Sequence, residues 1–386
     1  MNEAVLIIPS VRRKEQIELL VDQLKNQDRV RVRSVLVNSG YIIVETKNIV
    51  AFSHMAARFP GVSMVLVGNQ AGMAGNEVLD NVVIVAKKYV RHGSTFAVEV
   101  LGRKEAPAIE LSNYLTSKLV DILAERGSRP TDLDPGVKIR VVMLEDRAFV
   151  SYFALEGDGG LPSGTAGTCA VMFSGGLGST CATLMANRAG YRPLLCHGLT
   201  EWTSPASLRL LAYAGTYVRQ FLPHDDVYLY IFDLRGLTHS IDGDLGYCVT
   251  HALIAECTSL IGLKLGAKVL MGGLTSKHSA AGLIEVYSKH SHGLNQLYPL
   301  ISNDIPQLEK TLPSELISKI KAEENRSDYV CEPPGVDEFF RKNPVNKLVE
   351  DRVSLMVKVR LGYPEEYHDT VNGMVRALRK AGMLKE

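Results

Sequence analysis

No stretch of this 386-residue chain approaches the roughly 20 consecutive apolar residues that cross a bilayer. Its first residues, Met1-Asn2-Glu3-Ala4-Val5-Leu6-Ile7-Ile8-Pro9, lack the basic-then-apolar order of a secretory leader. A cytoplasmic location without membrane contact is therefore expected. Cysteine is sparse and scattered, with six in the whole chain, which argues against a disulfide-built scaffold and leaves each thiol as a core residue, a catalytic group or a metal ligand. Charge of one sign is missing too: the formal net charge is +1, so the chain as a whole is not steered to nucleic acid, and RNA contact would rest on local basic patches. What remains, 46% apolar and 22% charged residues, is an ordinary globular balance in a length suited to two or three domains.

Apolar periodicity divides the chain. A strand at 5–8, an amphipathic helix at 14–24 and a hairpin of 31–37 with 41–45, turning through Asn38-Ser39-Gly40, form a first small α+β unit, residues 1–72. A break rich in small residues at 68–75 precedes a helix at 77–90, a strand at 95–100, a helix at 110–126 and a closing hairpin of 138–144 with 148–154. Asp132-Leu133-Asp134-Pro135-Gly136 leads into that hairpin, and the second α+β unit spans 73–165. From 166 to 335 the strands become short and uniformly apolar, at 169–173, 192–196, 227–232 and 268–272. Helices at 181–190, 204–220 and 248–265 lie between them, the pattern of a doubly wound parallel sheet. Residues 336–386 read as a charged helical tail, with helices at 353–359 and 371–383.

The first of those parallel strands runs into Phe173-Ser174-Gly175-Gly176-Leu177-Gly178-Ser179-Thr180 and then a helix. Glycines let backbone approach an anion, and a helix N-terminus offers unpaired N–H groups, so the phosphates of ATP are natural guests. No lysine follows the second glycine pair, which excludes the P-loop of kinases and GTPases. Ligands of open parallel sheets bind beyond the carboxyl ends of the strands, which gathers 174–180, 197–201 and 272–278 around one crevice.

The loop resembles the SGGxDS segment of the ATP pyrophosphatase, or PP-loop, superfamily, with Gly178 at the aspartate position. Upstream, Gly159-Gly160-Leu161-Pro162-Ser163-Gly164 is similar to the GGxPxG linker that leaves a THUMP domain. Over residues 1–335 the order of elements resembles ThiI-type tRNA 4-thiouridine synthases, in an archaeal-like form without a rhodanese domain. The resemblance implies an α/β protein with N-terminal α+β domains, ferredoxin-like and THUMP, followed by a doubly wound parallel-sheet PP-loop domain. It also implies a reaction: with ATP and Mg2+, a uridine carbonyl oxygen of tRNA is adenylated and then displaced by sulfur carried on the enzyme.

Residue by residue, the same resemblance makes Ser174, Gly175, Gly176, Ser179 and Thr180 the phosphate loop. Met271-Gly272-Gly273-Leu274-Thr275-Ser276-Lys277-His278-Ser279 stands where the family has a TGE segment that closes over the nucleotide. Gly273 replaces its glutamate, and Gly272, Lys277 and His278 become candidate nucleotide contacts. Cys331, in Asp328-Tyr329-Val330-Cys331-Glu332-Pro333-Pro334, occupies the sulfur-carrying position and is expected in an exposed loop. Archaeal members hold an iron–sulfur cluster through a CxxC pair and this later cysteine; here Cys248-Val249-Thr250-His251 with Cys331 is the corresponding three-ligand set. Cys169, Cys181, Cys196 and Cys257 read as packing residues.

For tRNA, the basic clusters Arg12, Arg13 and Lys14, then Lys87, Lys88 and Arg91, then Arg103 and Lys104 are candidate phosphate contacts. The implied partners are tRNA, a cysteine desulfurase or sulfide as sulfur donor, and a second copy in a homodimer. Two other readings stay open. One is a non-catalytic tRNA-binding relative with a degenerate nucleotide site, favoured by Gly178 and Gly273. The other is a PP-loop enzyme of thiazole- or thiamine-related sulfur transfer.

Overall fold

The computed structural model describes residues 3–27, 29–102, 105–224, 226–237, 241, 243–275, 282–303, 305–323, 331–343 and 345–384. Contacts divide the chain into two units, 1–162 and 163–386.

In the first unit, β1 (Glu3–Pro9), α1 (Lys14–Lys25), β2 (Val32–Asn38), β3 (Tyr41–Thr46), α2 (Ile49–Ala57) and β4 (Val62–Ala71) are followed by α3 (Gly75–Tyr89), β5 (Thr95–Leu101), α4 (Glu105–Leu123), β6 (Arg129–Pro130), β7 (Val137–Met143) and β8 (Ala148–Glu156). The eight strands form one sheet in the order β2-β3-β1-β4-β8-β7-β5-β6. The two α+β parts expected at 1–72 and 73–165 are thus joined edge to edge by the antiparallel pair β4–β8. The break expected at 68–75 begins inside β4. Its Gly68 lies at a register shift, where a Cβ would come within 2.1 Å of the Val150 carbonyl oxygen, so glycine there marks a bulge within the sheet. Helix α2 and strand β4 had no counterpart in the sequence reading. The linker's first four residues, 159–162, belong to this unit: Gly159 and Gly160 both take left-handed φ, and Gly159 exchanges backbone bonds with Gly61 and Val62.

In the second unit, β9 (Gly167–Met172), α5 (Leu177–Arg188), β10 (Tyr191–Leu199), α6 (Pro205–Arg219), β11 (Tyr228–Asp233), α7 (Gly243–Lys264) and β12 (Val269–Met271) are followed by α8 (Leu283–Lys289), β13 (Asn295–Leu297), α9 (Ile305–Glu309), α10 (Ser314–Glu323), α11 (Pro333–Lys342), α12 (Val345–Ser354), β14 (Val357–Arg360) and α13 (Tyr367–Lys380). The sheet order is β13-β12-β9-β10-β11-β14, with the first five strands parallel and β14 antiparallel to β11. One face is covered by α5, α6, α10 and α13, the other by α7, α8, α11 and α12, so the sheet is doubly wound as expected. Helix α7 is long and apolar enough to span a membrane by length and composition, but 72% of its apolar window is buried in the fold, and packing against the sheet accounts for its character.

The tail differs from the sequence reading. Residues 353–359, expected as a helix, are the end of α12 and most of β14. The sequence Val357-Lys358-Val359-Arg360 alternates apolar and basic residues, Val359 facing the core and Lys358 and Arg360 the solvent, which is the period of a strand. The second expected helix is present as α13, whose Met374 and Leu378 are buried in the same core as β9 and β10.

Candidate nucleotide and thiol site

Strand β9 ends at the centre of the sheet, and the Phe173 N–H donates to the Cys196 carbonyl at 2.7 Å, carrying the pairing one residue past the strand. The chain then turns sharply. Gly175 has φ +79°, and a Cβ on it would lie 2.9 Å from the Leu211 backbone, so this corner needs glycine on both grounds. The loop is closed by its own hydroxyls: the Ser174 N–H donates to Ser179 Oγ at 3.2 Å, the Gly176 N–H to Ser174 Oγ at 3.3 Å, and Thr180 Oγ1 to the Gly176 carbonyl at 2.8 Å. No side chain caps α5. Its first-turn amides have no intrahelical acceptor, an arrangement that with the helix dipole suits an anion.

A cavity of about 220 Å³ opens beside this loop. Ser174, Gly176, Leu177, Gly178 and Ser179 form one end of it. Met172, Cys196, His197 and Gly198 from the strand ends, His251 and Ile254 from α7, Gly273–Thr275 after β12, and Tyr287 and Leu308 complete the wall. The crevice expected from the topology is therefore present. Of the expected loop residues, Ser174, Gly176 and Ser179 line it, whereas Gly175 and Thr180 shape the turn from behind. Gly272 is outside the lining, and its N–H is spent on the Leu297 carbonyl at 3.2 Å. Lys277 and His278 lie outside the described residues, as do Arg103 and Lys104.

The two positions at which the resemblance calls for carboxylates touch each other. A Cβ on Gly178 would come within 2.3 Å of the Gly273 carbonyl oxygen, and one on Gly273 within 2.4 Å of the Gly178 carbonyl carbon and the Ser179 nitrogen. Side chains at these sites are excluded by backbone on backbone. No aspartate or glutamate stands among the described residues of the cavity wall. The donor set consists of hydroxyls and amides, which suits phosphate and does not suit a magnesium ion held by protein carboxylates.

Cys248 and Cys331 are joined as a disulfide, with Cα atoms 5.4 Å apart. The structure thus brings two of the three expected cluster ligands together, but bonded to each other. The third, His251, has Nδ1 2.6 Å from the Tyr287 hydroxyl. Among the described residues no group of three His, Cys, Asp or Glu is gathered as a metal would require. Cys331 is 5% exposed, which corrects the expectation of an open loop: its carbonyl packs on Gly282, where a Cβ would approach it to 2.5 Å. The disulfide shares its apolar surroundings with Met172, Leu274 and Tyr287, which line the cavity. The other four cysteines are buried thiols, as expected; burial pushes Cys169 up to about 12 and raises Cys181, Cys196 and Cys257 as well.

Sequence reasoning passed over the walls contributed by Ile254 and Tyr287. The spacing of Cys248, His251 and Ile254 on α7, one turn apart each, was the available signal. In the first unit, Lys87, Lys88 and Arg91 are exposed at the end of α3, and Lys88 Nζ stands 4.9 Å from the centre of the Tyr89 ring, itself stacked on Tyr152. Arg12, Arg13 and Lys14 are exposed at the start of α1.

Fold and site together define a doubly wound α/β unit with a glycine-rich loop at the end of its central strand, preceded by an α+β unit built on one eight-stranded sheet. No family model matches the chain. Among curated proteins it is 31% identical over 190 residues to a probable tRNA sulfurtransferase of Sulfurisphaera tokodaii, covering 47% of this chain and 48% of that protein. It is 22% identical over 321 residues to a probable tRNA sulfurtransferase of Streptococcus suis, 77% of each. The first match spans about half the length of the relative. Among solved structures, the fold superposes on a 4-thiouridine synthetase in complex with RNA and bound ATP, with TM-score 0.76 and 15% identity over 94% of this chain and 100% of that one. A Pyrococcus horikoshii protein superposes with TM-score 0.61 and 15% identity over 80% and 98%. In fold and in sequence the chain is thus similar to ThiI-type proteins.

Proposed function

We propose that this protein is an ATP-dependent tRNA sulfurtransferase that makes 4-thiouridine in the cytoplasm. The observation that carries this reading is the pairing of Cys248 with Cys331 in the apolar cluster that also forms part of the wall of the cavity beside the Ser174–Thr180 loop. In this reading the phosphates of ATP rest on the α5 amides and the Ser174 hydroxyl, which also stabilise the charge that develops as the uridine O4 attacks the α-phosphate and pyrophosphate leaves. The uridine N3 proton is lost in this step, and AMP becomes the leaving group at C4.

The disulfide supports sulfide over a desulfurase as donor. Sulfide attacks Sγ of Cys331, giving a persulfide there and releasing Cys248 as a thiolate. The terminal persulfide sulfur adds to C4 and expels AMP, leaving the uridine bonded through sulfur to Cys331. Cys248 then attacks Sγ of Cys331, frees 4-thiouridine and re-forms the disulfide. Sulfur enters and leaves at the same oxidation level, so the cycle balances without an added reductant. An iron–sulfur cluster would need Cys248 and Cys331 as free ligands, and magnesium would need a carboxylate; no step is routed through either.

Basic residues at the ends of α1 and α3 supply phosphate contacts for tRNA. The test is a reaction of purified protein with ATP, labelled sulfide and unmodified tRNA. AMP and 4-thiouridine are expected in equal amounts, with none from Cys331→Ser and none from Cys248→Ala, because sulfide forms the persulfide only by opening the Cys248–Cys331 disulfide. Absence of AMP and label from all reactions would instead favour a tRNA-binding relative without catalysis, a second reading that the Gly178–Gly273 contact supports.

A further inference from the structure

One buried side-chain nitrogen at the cavity has no partner among the described residues. His197, at the end of β10, lines the cavity with its Nδ1 3.0 Å from the Phe173 carbonyl oxygen. A carbonyl only accepts, so Nδ1 carries the proton and donates, and Nε2 is left with a bare lone pair. Nε2 is buried and unpartnered. Burial pushes the imidazole down to about 4, so the ring stays neutral in any ordinary buffer and Nε2 remains an acceptor. A buried acceptor without a donor is costly, and in a cavity it points to a ligand that supplies one.

The surroundings limit that ligand. At one end are the hydroxyls and amides of the glycine-rich loop; elsewhere apolar Met172, Ile254, Leu274 and Leu308 stand beside the polar side chains of His251, Thr275 and Tyr287. No Asp, Glu, Lys or Arg stands among its described residues. A group that fits has apolar faces, a neutral N–H donor on its edge and a tether to phosphate. A purine with an amine at C6 has all three, whereas guanine and hypoxanthine present an oxygen there, lone pair against lone pair.

We infer that His197 Nε2 accepts a hydrogen bond from the 6-amino group of an adenine nucleotide and thereby selects adenine over 6-oxopurines. This role rests on the nucleotide site of the preceding section. Titration calorimetry of the full chain with ATP and with inosine triphosphate, which differs at that position, tests it. Wild type should bind ATP on the order of 10- to 100-fold more tightly, the loss expected when a buried hydrogen bond is left unmade. His197→Asn keeps a donor for Phe173 but has nothing at the Nε2 position; it should weaken ATP to the level of inosine triphosphate at an unchanged melting temperature. His197→Gln, which can return an acceptor there, should recover part of the preference, and in wild type the ratio should stay constant from pH 6 to 8. Equal binding of both nucleotides by wild type, or a preference that survives in the Asn variant, overturns the role of His197 and leaves the nucleotide site standing. Binding of neither nucleotide overturns both.

Discussion

Gly178 and Gly273, the two positions at which the resemblance calls for carboxylates, constrain each other. Each is the space the other requires, so returning one carboxylate does not return a metal site. Gly178→Asp is expected to cost about 1–3 kcal/mol by overpacking, to weaken nucleotide binding and to leave magnesium affinity unchanged, as thermal melts and calorimetry with and without magnesium would read. The missing carboxylates were legible in the sequence because the loop motif fixes where they should be. Their mutual contact was not, since it joins the start of α5 to the loop after β12. A second expectation concerns His197 and His224, both pushed down to about 4, chiefly by burial. Their folded values lie below the unfolded one, so the folded state disfavours the protons that the unfolded chain takes up below about pH 6.5. Stability is therefore complete above that pH and falls on acidification toward pH 4, by up to roughly 1.4 kcal/mol per pH unit for each group. Denaturant titrations across pH 4–7 would check the slope, which should shrink in His224→Phe.

At the scale of elements, the disulfide ties α7 to the segment that enters α11, across a sequence separation of 83. Closing a loop of that length stabilises by up to about 4.5 kcal/mol in the chain-entropy account. Dithiothreitol should lower the melting temperature of wild type and leave Cys248→Ala unmoved. The pairing of these cysteines could not be read from spacing alone: a cysteine and a histidine one helical turn apart suggest a ligand pair, and only the fold reveals that the helix turns His251 to Tyr287. Strands β9 to β12 and helices α5 to α7 were legible because each is a short, uniformly apolar run or a periodic one, whereas β13, three residues long and polar at its start, was not. Strand β4 was obscured by glycine at its bulge, and β14 by the lysine and arginine on its solvent face.

For the whole molecule, the division at residue 162 implies two unfolding events. Leu378→Ala, a truncation at a fully buried position of α13, should cost about 2–5 kcal/mol and shift only the transition of the second unit in calorimetry. Charge is distributed rather than concentrated, with a net +1, so the tRNA binding proposed above would depend on a few exposed residues. Changing Lys87, Lys88 and Arg91 together to glutamine should weaken tRNA binding and flatten its salt dependence by about two charges' worth. Filter binding at several salt concentrations would measure it.

Strand β14 has a further consequence, for how the sheet edge meets other molecules. It occupies the outer hydrogen-bonding edge of β11, and α13 covers the apolar surface beside it. A chain ended after residue 335, where the family resemblance stops, would leave β11 with a row of unpaired amides and carbonyls next to exposed leucines. Such an edge recruits strands from other molecules, so the final fifty residues act as a built-in guard against self-templated aggregation.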